Sequence, residues 1–160
     1  MRGRRGADRG GRRGQSLVEL ALLLPILALM LIGTLDLGRV FIAMVQLTNG
    51  VQEGALFGRT SPTFVDSADG ADPDNIVFKV QDQSEVAIEA ADIVVRCYAG
   101  PAIGSTTLRG DGTCSTASNV KSGDIIEVTA RYRFQPLTTQ LIRILPPSYK
   151  IRKTVRMVVL

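Results

Sequence analysis

Sixteen consecutive residues without a charge, 20–35, lie between Glu19 and Asp36 and follow a strongly basic leader. Nothing else in the chain restricts its fold so tightly. A helix rises about 1.5 Å per residue, so residues 17–35 reach about 28 Å, close to the roughly 30 Å of a bilayer's hydrocarbon layer. In that layer a lone segment can satisfy its backbone polar groups only as a helix. The stretch is long for the apolar core of a removable secretory signal, and no A-x-A-like cleavage site follows it. Arg12-Arg13 invites a twin-arginine reading, which Glu19 and the missing downstream site oppose. The expectation is a retained membrane helix, with Pro25 removing one backbone hydrogen bond and bending it.

Charge is distributed about this segment asymmetrically. The first fourteen residues hold six Arg and one Asp, whereas residues 60–149 hold eleven acidic and seven basic side chains. The formal net charge of +4 therefore averages a basic end and an acidic remainder. The positive-inside rule puts the N-terminus in the cytoplasm and the C-terminal part across the cytoplasmic membrane. Clustered arginine is also the footprint of nucleic-acid binding. Beside a membrane helix, topology accounts for the six arginines and no nucleic-acid partner is expected.

The helix is expected to continue outward to residue 59. Leu37, Val40, Phe41, Met44, Val45, Thr48, Val51 and Ala55 follow the i, i+3, i+4, i+7 rhythm of one helical face. Asp36 and Arg39 stand three apart and can pair at the outer interface. Gly50, Gly54 and Gly58 form a stripe of small residues. Each costs a helix interior about 1 kcal/mol relative to alanine, which close approach of another element would offset. The glycines are accordingly candidates for contact between subunits.

The remainder divides into a linker, residues 60–73, and a small domain, residues 74–160. Asp72-Pro73 has the form of a helix start, with Ile76, Val77 and Val80 as the buried stripe of a helix over about 73–83. Residues 92–98 are β-branched. In residues 124–134, Ile126, Val128, Ala130, Tyr132 and Phe134 alternate with Glu127, Thr129, Arg131 and Arg133, as in a half-buried strand. In residues 150–160, Ile151, Lys153, Val155, Met157 and Val159 fall on one side. Residues 137–145 suit a short amphipathic helix. The fold class is therefore α+β: a long transmembrane helix with an amphipathic extension, then a short helix on a few-stranded antiparallel sheet.

Histidine is absent, and Cys97 and Cys114 are the only cysteines. Zinc sites of the usual ligand count and histidine-assisted nucleophiles are thereby excluded. Two cysteines seventeen apart in an exported domain are expected to form one disulfide; two buried free thiols are the alternative. Asp66, Asp69, Asp72 and Asp74 lack the spacing and closing Glu of a calcium loop and read as a solvated acidic loop. Gly110-Asp111-Gly112 and Lys121-Ser122-Gly123-Asp124 lack phosphate-loop spacing and read as turns. No metal, no cofactor and no enzymatic activity is expected.

The leader junction, Arg12-Arg13-Gly14-Gln15-Ser16-Leu17-Val18-Glu19, has the form read by a leader peptidase of the type IV pilin kind. Such an enzyme cuts on the cytoplasmic side, after Gly14, and leaves the helix on the mature chain. Glu19 either snorkels into headgroups or pairs with the new amine of Gln15 on a neighbouring subunit. The run from Arg13 to Pro25 resembles the TadE-like family of pilus-assembly proteins, whose pattern is R-G-x-x-L-V-E-[FL]-A-L-V-L-P. Gly33-Thr34-Leu35-Asp36-Leu37-Gly38-Arg39 continues the resemblance, and Gly54-Ala55-Leu56-Phe57-Gly58-Arg59 is a looser echo of A-R-x-G-A-R. The resemblance implies a pseudopilin that helps assemble Flp-type fibres, with a prepilin peptidase, other pilin-like subunits and an assembly platform as partners. An unprocessed bitopic protein with an extracytoplasmic ligand- or surface-binding domain is the competing reading.

Overall fold

In a computed structural model, residues 10–62, 74–100, 102–109, 112, 114, 120–141 and 146–160 are described. The leader's first nine residues, most of the 60–73 linker with Asp66, Asp69, Asp72 and Pro73, the Gly110-Asp111 turn and residues 142–145 lie outside them.

Helix α1 runs unbroken over Gly10–Thr60, with Pro25 inside it. Every residue from Gly14 to Leu27 is exposed. The second half is part of a folded domain. Leu47, Val51 and Ala55 are fully buried there, together with Ile76, Val77 and Val80 of helix α2 (Ile76–Gln83). Beyond α2, a single 3-10 turn (Ala90–Asp92) leads into strand β1 (Ile93–Tyr98). Strand β2 (Ile125–Phe134), the four-residue helix α3 (Thr138–Leu141) and strand β3 (Tyr149–Val158) follow. The strands form one antiparallel sheet in the order β1-β2-β3. The fold class is α+β, as expected.

The alternation in β2 is reproduced in the packing. Ile126, Val128 and Ala130 are fully buried toward the helices, opposite Cys97, Val95 and Ile93 of β1. Across β2 from them stand Met157, Val155 and Lys153 of β3, so β3 carries its alternating set to the same side. The other face of β2 is less exposed than alternation alone implies. Tyr98 Oη donates to Glu127 Oε1 at 3.2 Å, and Arg156 Nε donates to Glu127 Oε2 at 2.6 Å while its guanidinium lies over the Tyr98 ring. Thr129 and Thr154 hydrogen-bond across the next row at 2.8 Å.

Several boundaries differ from the sequence reading. Helix α2 begins at Ile76, because Asn75 in extended backbone accepts the Val77 N–H on its side chain at 2.8 Å and closes the first turn. Asp92 ends the 3-10 turn instead of opening β1. The helix expected over residues 137–145 is seen as α3, its later part falling outside the described residues.

The amphipathic face of α1 also needs correction. Leu37 and Phe41 are 72% and 69% exposed, and Met44 and Val45 are also exposed. Val51 and Ala55 of the expected face are buried, joined by Ala43, Leu47, Gly50, Gly54 and Gly58, so the buried stripe is displaced by about a quarter turn at 100° per residue. Small side chains win the buried face because α2 crosses there at close range.

Candidate assembly site and the junction between anchor and domain

Gly14, Gln15 and Glu19 all lie on the exposed first turns of α1. A side chain built at Gly14 would meet nothing within 4 Å, so this bond is open to an approaching protein. Gln15 Nε2 donates to Glu19 Oε1 at 3.4 Å, one turn apart on the same face. Among the described residues, Gln15 thus offers Glu19 a local neutral donor.

Gly50, Gly54 and Gly58 occupy a different environment from the one expected of a subunit contact. A Cβ at Gly50 would lie 2.6 Å from the Val80 carbonyl oxygen, and one at Gly54 would lie 2.3 Å from Val80 Cγ2. At Gly58 it would lie 2.5 Å from Ile126 Cδ1. The close approach that offsets their cost is supplied by α2 and β2 of the same chain. Of the residues assigned to subunit contact, Glu19 alone stands on an uncovered face.

Cys97 and Cys114 are joined by a disulfide with a Cα–Cα separation of 5.3 Å, and both are fully buried. It ties β1 to the excursion between β1 and β2. Backbone bonds from Cys97 N–H to Gly112 O and from Arg109 N–H to Cys97 O hold the same base.

Two acidic residues have structural roles that the sequence did not disclose. Asp36 is buried. Its Oδ1 accepts the Leu137 N–H and its Oδ2 the Thr138 N–H, each at 2.8 Å. The pairing with Arg39 is also present, at 3.4 Å. Leu137 has no side chain with which to cap α3, so a carboxylate more than one hundred residues earlier does so. That missing local cap was the only available signal. Arg39 continues the junction by lying over the Phe134 ring, 5.4 Å from its centroid. Asp36 is thus where the apolar anchor ends and the domain is fastened to it.

Asp124 is the second. It closes the turn expected at residues 121–124, where Gly123 has φ +91°. Its carboxylate accepts Arg109 Nε at 2.9 Å and Nη2 at 2.7 Å, the Lys121 N–H at 2.8 Å and the Gly100 N–H at 3.2 Å. The Arg109 guanidinium, with the two backbone N–H groups, holds its pKa down at about 2 despite burial. A lone Arg in a Gly/Ser/Thr-rich segment was the one hint.

Among the described residues, one uncovered apolar helix is long enough to cross a membrane and runs on into a small disulfide-tied α+β domain, the build of a helix-anchored protein. Residues 14–56 match the family model described as TadE-like protein. The match begins at Gly14 and stops within the second half of α1. No curated protein and no solved structure matches the chain.

Proposed function

We propose that this chain is a pseudopilin: a pilin-like, membrane-anchored subunit for assembly of a Flp or type IV-like pilus, with a structural and not a catalytic role. The observation that carries the reading is the TadE-like match over residues 14–56, which opens at the glycine of the leader junction. The bare stretch of α1 from Gly14 to Leu27 supports it, since none of the described residues covers it and lipid or neighbouring helices must. In this reading the N-terminus is cytoplasmic and the domain extracytoplasmic. A prepilin peptidase cuts between Gly14 and Gln15, and the exposed Glu19 receives the new amine of a neighbouring subunit. The other partners are pilin-like subunits and the assembly platform.

The test is the intact mass of protein taken from cells that have their own peptidase. The expected N-terminus is Gln15, and Gly14→Arg should leave a full-length, membrane-inserted precursor without fibres. Functional assemblies that retain the leader would favour the unprocessed bitopic reading.

A further inference from the structure

The apolar stripe of α1 that the domain leaves uncovered does not face open solvent everywhere. Gly33, Leu37, Val40 and Met44, each three or four residues from the next, form one wall of an open groove of about 620 Å³. Strand β3 forms the facing wall through Lys150, Ile151, Arg152 and Lys153; Ile151 and Lys153 stand on its helix side, and Lys150 and Arg152 alternate to the other. β3 ends the sheet, so its far edge is free to border the groove. Phe134, Pro136 and Tyr149 close the end nearest Asp36. The one carboxylate in the lining, Asp36, is engaged by the Leu137 and Thr138 N–H groups and by Arg39. Among the described residues no ion pair is recorded for Lys150, Arg152 or Lys153.

Position decides what such a groove suits. Gly33 belongs to the uncharged run, whereas Met44 stands about 12 Å further out along the axis after Asp36. A headgroup layer is about 5–8 Å deep on each side of the hydrocarbon. The groove therefore opens on the bilayer surface, with its apolar wall continuous with the membrane helix and its cations at headgroup height. We propose that it holds one anionic glycerophospholipid of the adjoining leaflet. The phosphate lies against Lys153, with the long side chains of Lys150 and Arg152 reaching it around the edge of β3, and the glycerol and upper acyl carbons lie along Gly33, Leu37 and Val40. The charge complementarity is with a phosphodiester that has no compensating amine. The lipid covers the stripe that α2 does not and fixes the height and tilt of the domain over the membrane.

This rests on α1 lying in a bilayer, as proposed above, but on neither processing nor fibre formation. Full-length protein, delipidated in neutral detergent, is titrated with phosphatidylglycerol, phosphatidylcholine or glycerol 3-phosphate and observed by native mass spectrometry. One phosphatidylglycerol should be retained, with at least about tenfold preference over phosphatidylcholine, since each Lys or Arg near a lipid phosphate contributes roughly a factor of five. The Lys150→Gln/Arg152→Gln/Lys153→Gln variant should lose that preference. Leu37→Gln, at a site already exposed, should weaken retention of both lipids without unfolding the domain, as checked by the intact Cys97–Cys114 bond. Equal retention of the two phospholipids, or a preference unchanged in the triple variant, would overturn the proposal. So would retention of glycerol 3-phosphate as strong as that of the lipid, or a second protein copy in place of lipid. Vesicle flotation of the same variants separates this failure from loss of the anchor: a chain that floats but has no lipid preference refutes the groove alone.

Discussion

Asp124 concentrates more structure in one carboxyl group than any other residue of the domain. It gathers Arg109, Lys121 and Gly100 from three parts of the chain onto the start of β2. Its pKa is lowered from 3.8 to about 2, so the folded state favours the ionised form. The resulting stabilisation, about 2 kcal/mol at 1.36 kcal/mol per unit, is present above about pH 4 and is lost as the pH falls toward 2. Asp124→Asn should remove a similar amount at neutral pH and flatten that acid dependence. Denaturant unfolding of the two proteins at pH 7, 4 and 2.5 checks both statements. The glycines of α1 make a contrasting prediction. Gly50→Ala puts a methyl group 2.6 Å from a backbone oxygen of α2, which cannot rotate away. It should cost about 1–3 kcal/mol by overpacking, in spite of the roughly 1 kcal/mol that alanine gains in a helix. Gly38→Ala meets nothing and should be neutral or stabilising, measured as the shift in unfolding midpoint.

At the scale of elements, α3 and the disulfide loop are each held by a distant partner. Four residues are too few for a helix to be stable by itself, and α3 exists because Asp36 binds its first N–H groups. Asp36→Ala should leave α1, α2 and the sheet in place and release α3. Hydrogen exchange reads this directly: amide protection should fall at Leu137 and Thr138 and persist at Val128. The Cys97–Cys114 bond acts on the unfolded chain. Closing a loop of this size stabilises by roughly 3 kcal/mol in the chain-entropy account. Replacing both cysteines with serine should lower stability by an amount of that order, seen in denaturant unfolding under oxidising conditions.

The whole molecule is one rod whose outer half doubles as a core helix. Leu47, Val51 and Ala55 pack against α2 and the sheet, and the Leu160 N–H donates to the Arg59 carbonyl at the end of the same helix. A boundary at residues 59–60 thus separates segments that share one core. A chain starting at Arg39 should fold into a soluble, disulfide-bonded domain. One starting at residue 60 lacks one wall of the core and should remain unfolded by circular dichroism.

Local sequence determined the elements of this protein. An uncharged run bracketed by Glu19 and Asp36 leaves a helix as its only solution in lipid. Period-two alternation placed Ile126, Val128 and Ala130 on one face of a strand, and the leader junction marked the TadE-like segment. These signals survive in one dimension because each is carried by neighbours in the chain. Tertiary structure decided which face of α1 is covered, what the glycines touch, and which carboxylates matter. The large apolar residues Leu37, Phe41 and Met44 gave the stronger helical rhythm, yet α2 docked on the small ones, since two backbones approach only where no side chain intervenes. Asp36 and Asp124 were equally opaque, because their partners are groups that only the folded chain brings within 3 Å.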